Sequence, residues 1–400
     1  MSRITSLVGL IVSALLLMLG VGMIMSVLPG KTMIAAGSTH AVGYLASAFA
    51  VSYVALQVPV GMLADRLGFK PFLAGGYLLC AGAGLLYWSG TSLSFLFAGR
   101  LLQGAGEVPI WALGPALFAA LFPDMRGKVV GLYNAAIHLG LTAGPFAGLL
   151  LSRAAGEDSL FLVFALLSGL GALLVLVTIR NTGRGQQTAK TPKPSLAVLR
   201  RIVASRSVAP ALAGIALYGA GYGLFITHIP GDFIAVRGFS PEGMGVYFTL
   251  FYATISLTQL VSGPLCDRFG TRRFMIGGCL LAAAGIGGFP FLGDAAALCA
   301  LGASGTGLGI FYLASLAFVN ETVPEEIRGG IAGTYFFFWG AGYFLGPLLF
   351  GKAVQYGQET GAFETFALLL ALAALVLLLS GRSLPDEHVF AGAAETEQAE

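Results

Sequence analysis

The segment Gly61-Met-Leu63-Ala-Asp65-Arg66-Leu-Gly68 returns 202 residues later as Gly263-Pro-Leu265-Cys-Asp267-Arg268-Phe-Gly270, in a chain of 400. A second set keeps the same step: Arg126-Gly127 with Arg328-Gly329, Gly131 with Gly333, Tyr133 with Tyr335, Gly140 with Gly342, and Gly144-Pro145 with Gly346-Pro347. One half of the chain is therefore a relative of the other, and whatever unit the first half folds into, the second must fold into its counterpart.

The solvent of that unit follows from charge. Charged residues are 10% of the chain and hydrophobic ones 56%, with a mean hydropathy of +0.85, whereas a soluble domain carries roughly 25% charge. Runs long enough to span a ~30 Å hydrocarbon layer at ~1.5 Å per residue recur along the sequence. Twelve are expected, near residues 5–28, 41–64, 72–90, 93–122, 129–152 and 159–179, then 209–229, 243–266, 273–292, 295–320, 330–352 and 362–381. The fold class is an all-α membrane protein of twelve transmembrane helices in two pseudo-symmetric six-helix bundles. The bundles occupy 1–179 and 209–382, separated by a polar linker at 180–208 and followed by an acidic tail at 383–400 that reads as disordered. The apolar stretch from Ile4 to Leu28 exceeds the about 7 to 15 residues of a signal-peptide core and is expected to remain as the first span. Cys80, Cys266, Cys279 and Cys299 show no metal-ligand spacing and read as small apolar packing residues.

Orientation follows from the basic residues, which cytoplasmic loops retain. With the N terminus inside, inner segments hold 17 of the 22 Lys and Arg, and outer loops hold only Lys31, Arg153, Arg237 and Lys352. Both termini and the linker are thus expected in the cytoplasm. The net charge of +3 reports this asymmetry and implies no nucleic-acid partner.

The repeated Gly61 to Gly68 segment places Asp65 and Arg66 at a tight turn after span two, and Asp267 and Arg268 repeat the arrangement after span eight. Gly61 and Gly68 permit close approach and a sharp reversal. The carboxylates can pair with a helix end or with an Arg across the bundles, as a cytoplasmic latch, with Arg126 and Arg328 at the start of spans five and eleven as partners. An ordinary solvated loop is the plainer reading of any single copy.

In span five, Gly140, Gly144 and Gly148 recur every four residues and form one smooth stripe for backbone-to-backbone packing, while Pro145 bends the helix. In span four, Arg100, Gln103, Glu107 and Trp111 follow at spacings of three and four, hence share a face. Glu107 lies roughly 18 Å in from the outer edge, near the bilayer centre. A charge there costs at least ~2.5 to 3.5 kcal/mol on insertion scales, so it must face protein or water. Asn134, His138 and Thr142 share the span-five face opposite the glycines, with His138 about 13 Å from the inner edge. Glu107 and His138 are expected to meet or to share a cavity. Burial penalises the charge on either group, which suits proton binding and release; an internal hydrogen bond with no part in transport is the structural alternative. The second half offers aromatic surface instead: Tyr218, Tyr222 and Phe225, then Tyr252, then Tyr335, Trp339 and Tyr343. These stripes read either as helix packing or as the wall of a cavity for flat or lipophilic compounds, with cation-π contacts available.

The Gly-x-Leu-Ala-Asp-Arg-x-Gly loop after span two resembles the signature of the major facilitator superfamily. Leu19-Gly20 with Ser26-Val27-Leu28-Pro29, Arg100-Leu-Leu-Gln103-Gly104-Ala-Gly106, and Gly140-x-x-x-Gly144-Pro145-x-x-Gly148 are similar to signatures of its twelve-span drug/proton antiporters. Ser26 stands where that group usually has a proline, Glu107 stands where it usually has a small residue, and span one lacks the acid often found there. The resemblance implies a functional Arg100, able to act on Glu107 two turns away or to bind an anionic substrate group. It also implies that the span-five stripe, with Gly346 and Pro347 as its echo, seals the interface between the halves and lets them rock. The expected activity is proton-coupled export of small amphipathic or aromatic molecules by alternating access, without catalysis, metal or cofactor; no Gly-rich loop ending in Gly-Lys-Ser/Thr is present. Uptake of an organic anion by proton symport, with Arg100 and His228 holding the carboxylate, is the competing reading, and a non-transporting receptor or scaffold the remote one. The expected partners are a small-molecule substrate, protons and the lipid bilayer, and the expected setting is a monomer in a bacterial cytoplasmic membrane. At the step of 202, Arg100, Gln103, Glu107 and His138 map to Gly302, Gly305, Gly309 and Gly340, so the deep polar residues belong to the first half alone.

Overall fold

The computed structural model describes residues 3–38, 40–90, 92–122, 125–179, 205, 207–322 and 328–380. The tail, nearly all of the expected linker, and the corners at Pro123-Asp124 and Pro324-Glu325 lie outside the described residues. In the first half the helices are α1 (Arg3–Met25), α2 (Leu28–Ala36), α3 (His40–Leu67), α4 (Phe69–Ser89), α5 (Leu93–Leu121), α6 (Arg126–Ala155) and α7 (Asp158–Thr178). The second half follows with α8 (Ala209–Ile226), α9 (His228–Ala235), α10 (Pro241–Phe269), α11 (Thr271–Gly288), α12 (Asp294–Thr322), α13 (Arg328–Gln355) and α14 (Glu359–Leu379), and a 3-10 turn at Phe289–Phe291. Twelve of these helices have 18 residues or more among the described residues, and eight stretches are long and apolar enough to cross a bilayer by length and composition alone.

Spans one and seven were expected as single runs, and each is broken near its end. The helix is interrupted between Met25 and Leu28 before α2, and the backbone leaves helical geometry at Thr227 before α9. Pro29 and Pro230 lie in the first turns of the new helices, where a missing N–H costs nothing but where a continuing helix would lose a bond.

The 202-residue step is a repetition of contacts as well as of letters. Gly68 and Gly270 are the single-residue turns before α4 and α11, with φ of 89° and 91°, a region closed to most side chains. Tyr133 donates its hydroxyl to the Ile110 carbonyl at 2.8 Å, and Tyr335 donates to Tyr312, the equivalent residue, at 3.2 Å. A Cβ on Gly76 would lie 2.5 Å from the Gly106 carbonyl, and one on Gly278 would lie 2.6 Å from the Gly307 carbonyl, so α4 on α5 and α11 on α12 pack backbone to backbone in the same way.

Two compact units are present. The first comprises Met1–Thr188, Gly223–Ser256 and Pro347–Lys352, and the second Ala189–Tyr222, Leu257–Gly346 and Ala353–Glu400. In the first, α1 packs on α6 and α7, α4 on α5 and α7, and α3 on α5. Its side carrying the α6–α7 turn is tied by Lys31 to Asp158 at 2.6 Å and by Arg153 to Glu242 at 3.3 Å. In the second unit α11 packs on α12 and α14, and Arg272 closes the end of α14 by donating to the carbonyls of Leu377 and Leu378.

The glycine stripe of span five does not face the second half. A Cβ on Gly144 would lie 2.6 Å from Gly22 Cα, one on Gly140 2.8 Å from the Leu15 carbonyl, and one on Gly148 3.2 Å from Met23 Cα. The stripe therefore docks α6 on α1 of its own half, correcting the expectation of a seal between halves. Gly346 behaves alike: its Cβ would lie 2.6 Å from Ala220 Cα on α8. Small residues go where two backbones come closest, and for Gly140, Gly144, Gly148 and Gly346 that is within their own bundle.

Candidate functional site

The four polar residues of α5 bond in series along one face. Arg100 Nη1 donates to Gln103 Oε1 at 3.3 Å, Gln103 Nε2 donates to Glu107 Oε1 at 2.9 Å, and Trp111 Nε1 donates to Glu107 Oε2 at 3.1 Å. Arg100, Gln103 and Glu107 are buried, and Trp111 is half-buried. Tyr87 of α4 adds a fifth member, its hydroxyl donating to Gln103 Oε1 at 2.8 Å. Its ring lies directly on Gly99, the slot that lets α4 approach α5 at this level.

The orientation of the Gln103 amide follows from chemistry. A guanidinium has donors only, so the carbonyl oxygen of Gln103 must face Arg100 and its NH2 must face Glu107. Both Glu107 oxygens thus accept from donors that cannot reverse, and the arrangement is complete with the carboxylate ionised. A proton on either oxygen would take up one lone pair and turn the charge-assisted bonds from Gln103 and Trp111 into weaker neutral ones.

Arg100 is less well satisfied. Its Nη2 lies 3.7 Å from Met25 Sδ, a weak acceptor, its guanidinium sits 5.9 Å from the Phe49 ring centroid, and its Nε has no partner. Among the described residues it forms no ion pair. Gln103 bridges it to Glu107 by hydrogen bonds.

Glu107 and His138 do not bond to each other. His138 Nδ1 lies 3.3 Å from Ser256 Oγ on α10, and Ser256 Oγ lies 3.2 Å from Thr142 Oγ1, so the span-five face looks toward α10 while Glu107 is held along its own helix. Asn134 is exposed.

In the second unit Tyr218, Tyr222, Trp339 and Tyr343 form one cluster together with Tyr312. The Tyr218 and Tyr312 ring centroids are 5.1 Å apart, and Trp339 stacks on Tyr343 at 5.4 Å and 13°. Tyr222, Tyr312 and Trp339 are half-buried and can present a face. Two expected members, Tyr335 and Tyr252, fall outside the half-buried face of the cluster. Tyr335 is 0% exposed and its hydroxyl is shared between the Tyr312 carbonyl and Ser315 Oγ, so it braces α12 against α13. Tyr252 packs in the first unit against Phe248 and Phe251. Tyr312 was open to discovery through the step of 202, because it is the equivalent of the Ile110 that Tyr133 braces.

The latch residues occupy helix ends. Asp65 and Arg66 lie in the last turn of α3, Asp267 and Arg268 in that of α10, and Arg126 and Arg328 open α6 and α13, while the turn itself is the single glycine. Arg268 is exposed, with its guanidinium 5.2 Å from the Phe269 ring centroid. The side chains of Asp65, Arg66, Arg126, Asp267 and Arg328 lie outside those described.

Paired six-helix bundles with a buried polar chain on one span define a multi-pass membrane transporter. The chain belongs to the Major Facilitator Superfamily, which it matches over residues 10–240 and 214–399, and it resembles the drug/proton antiporters of that family. An uncharacterised transporter of this type from Methanocaldococcus jannaschii is 24% identical over 84% of this chain and 87% of its own. Multidrug resistance protein 2 of Bacillus subtilis is 28% identical over 66% of this chain and 68% of its own. Among solved structures, a bacterial homologue of the human lysosomal transporter Spinster superposes with a TM-score of 0.79 at 16% identity, covering 96% of this chain and 97% of that one.

Proposed function

We propose that this protein exports small amphipathic or aromatic compounds from the cytoplasm in exchange for protons, by alternating access between its two bundles. The observation that carries the reading is the Arg100–Gln103–Glu107–Trp111 chain, the deep acid of the molecule held by donors alone. A proton arriving at Glu107 removes one of two charges from a buried chain and weakens the bond that Trp111 donates to it, which gives a charge change a mechanical outlet. The tyrosine and tryptophan cluster of the second unit supplies flat apolar faces with polar tips for such compounds. Similarity to a multidrug resistance protein supports this direction of transport. In this reading both termini face the cytoplasm of a bacterial cell, the protein works as a monomer, Asp65, Arg66, Asp267 and Arg268 with Arg126 and Arg328 form the cytoplasmic gate, and the α6–α7 side faces outward.

Arg100 favours a second reading, uptake of an organic anion with protons, because a buried guanidinium with an unpartnered Nε is a ready partner for a carboxylate. Direction separates the two. Inverted vesicles given an inside-acid gradient are expected to accumulate ethidium, an aromatic dye, above control vesicles; accumulation of aromatic carboxylates instead, by right-side-out vesicles under an outside-acid gradient, would favour symport.

A further inference from the structure

Span seven is interrupted at Thr227, and the residue that begins α9 reaches across to two other spans. His228 is 4% exposed, and its Nε2 lies 2.9 Å from the carbonyl oxygen of Pro347 on α13. A carbonyl only accepts, so Nε2 carries the hydrogen and donates it. The ring centroid lies 4.8 Å from that of Phe350, one turn further along α13. Gly43 of α3 completes the junction: a Cβ there would lie 2.5 Å from His228 Nε2 and 2.8 Å from the same Pro347 carbonyl. Span seven is thus hydrogen-bonded to span eleven, and span two packs closely on that bond, inside the first unit and on its α6–α7 side.

The internal repeat shows what is particular about this junction. At the step of 202, Gly43 maps to Gly245 and Pro347 to Pro145, and these two also meet, a Cβ on Gly245 lying 3.6 Å from the Pro145 carbonyl. The residue equivalent to His228 is Ser26, in the break between α1 and α2, whose hydroxyl donates at 2.7 Å back to the Met23 carbonyl of α1. Two glycine-to-proline-carbonyl crossings are therefore built into the fold, and among the described residues a side chain of the broken span bonds the proline carbonyl at one of them.

We propose that His228 is a gating residue: its hydrogen bond to the Pro347 carbonyl fixes spans seven and eleven as the surface on which Gly43 of span two closes while the α6–α7 side is shut, and span two leaves that surface each time the side opens. The assignment rests on alternating access as proposed above and on no choice of substrate. It also removes His228 from the carboxylate-binding role that symport would give it.

Spin labels at Ile34→Cys and Lys352→Cys, both exposed positions on this side, report the separation of its ends by pulsed dipolar spectroscopy in the full-length protein in lipid, with the exposed Cys299 replaced by Ser. His228→Phe keeps a ring against Phe350 and loses the donor; it is expected to raise the longer-distance population about three- to tenfold, the weight of one net hydrogen bond. His228→Gln, which keeps an N–H at similar reach, is expected to match the wild type. Gly43→Ala forces a methyl into the junction and should raise the population independently, so the assignment stays open to test even where the Phe variant folds poorly. An unchanged distribution in His228→Phe or in Gly43→Ala, or a rise in His228→Gln equal to that in His228→Phe, would overturn the proposal. A failure of proton-driven export would leave these distances untouched, so the two claims fail separately.

Discussion

Gln103 is the residue on which the charged chain depends, because among the described residues it is the one hydrogen-bonded to both Arg100 and Glu107. Replacing it by Leu leaves a buried cation and a buried anion each short of a partner, and Gln103→Leu is expected to cost at least ~2 kcal/mol, read as a lowered thermal unfolding midpoint in detergent. Tyr87→Phe removes one donor from the same oxygen and is expected to cost about 1 kcal/mol. Helical spacing made the Arg100 to Trp111 face legible, because periodicity fixes what lies along one helix. Tyr87, Met25 and Ser256 were not legible, since they come from neighbouring helices whose register only packing decides. The same limit explains Glu107 and His138: similar depth on adjacent spans did not make them partners, as Tyr133 occupies the α5–α6 contact and His138 turns to α10.

At the scale of helices, the glycines separate by what surrounds them. Gly144 faces the backbone of Gly22, which cannot rotate aside, whereas a Cβ on Gly131 of the same helix would meet nothing within 4 Å. Gly144→Ala is expected to destabilise by about 2 kcal/mol or more through overpacking, and Gly131→Ala to be neutral or stabilising by up to ~1 kcal/mol through helix propensity. Thermal unfolding of the two variants side by side checks the contrast. Tyr133→Phe deletes one bond to a carbonyl and is expected to cost about 1 kcal/mol, and Tyr335→Phe, which loses the equivalent brace and also the bond to Ser315 Oγ, is expected to cost more. The sequence showed that a smooth stripe existed on span five, and four-residue spacing alone carried no information about which neighbour it met. The breaks before α2 and α9 were signalled by Pro29 and Pro230, but hydropathy ran through them unchanged.

Over the whole molecule, duplication was the most legible property, and its contacts repeat where its residues do: the Gly68 and Gly270 turns, the tyrosine braces, the glycine crossings. Where the halves differ, chemistry is concentrated. The α6–α7 side also carries the Arg153–Glu242 pair, in which Ser240's hydroxyl, then Glu242's own N–H and Arg153, hold the carboxyl below the usual carboxylate range. A lowered value means that the pair is intact above the ordinary carboxylate pKa of ~4.3 and is lost only as pH falls through the lower one. Both side chains are well exposed, so solvent screening leaves the pair little weight beside the buried His228 junction. Arg153→Ala is accordingly expected to change the distance distribution across this side by less than about threefold, with no step from this pair between about pH 8 and pH 5. The central claim is that Glu107 carries the coupling proton, and Glu107→Gln tests it most directly, because the amide fills the same space and cannot titrate. In proteoliposomes the wild type is expected to accumulate ethidium in proportion to an imposed pH gradient and the Glu107→Gln variant to lose that dependence while still binding the dye; gradient-driven accumulation with an unchanged pH profile in the variant would contradict the account.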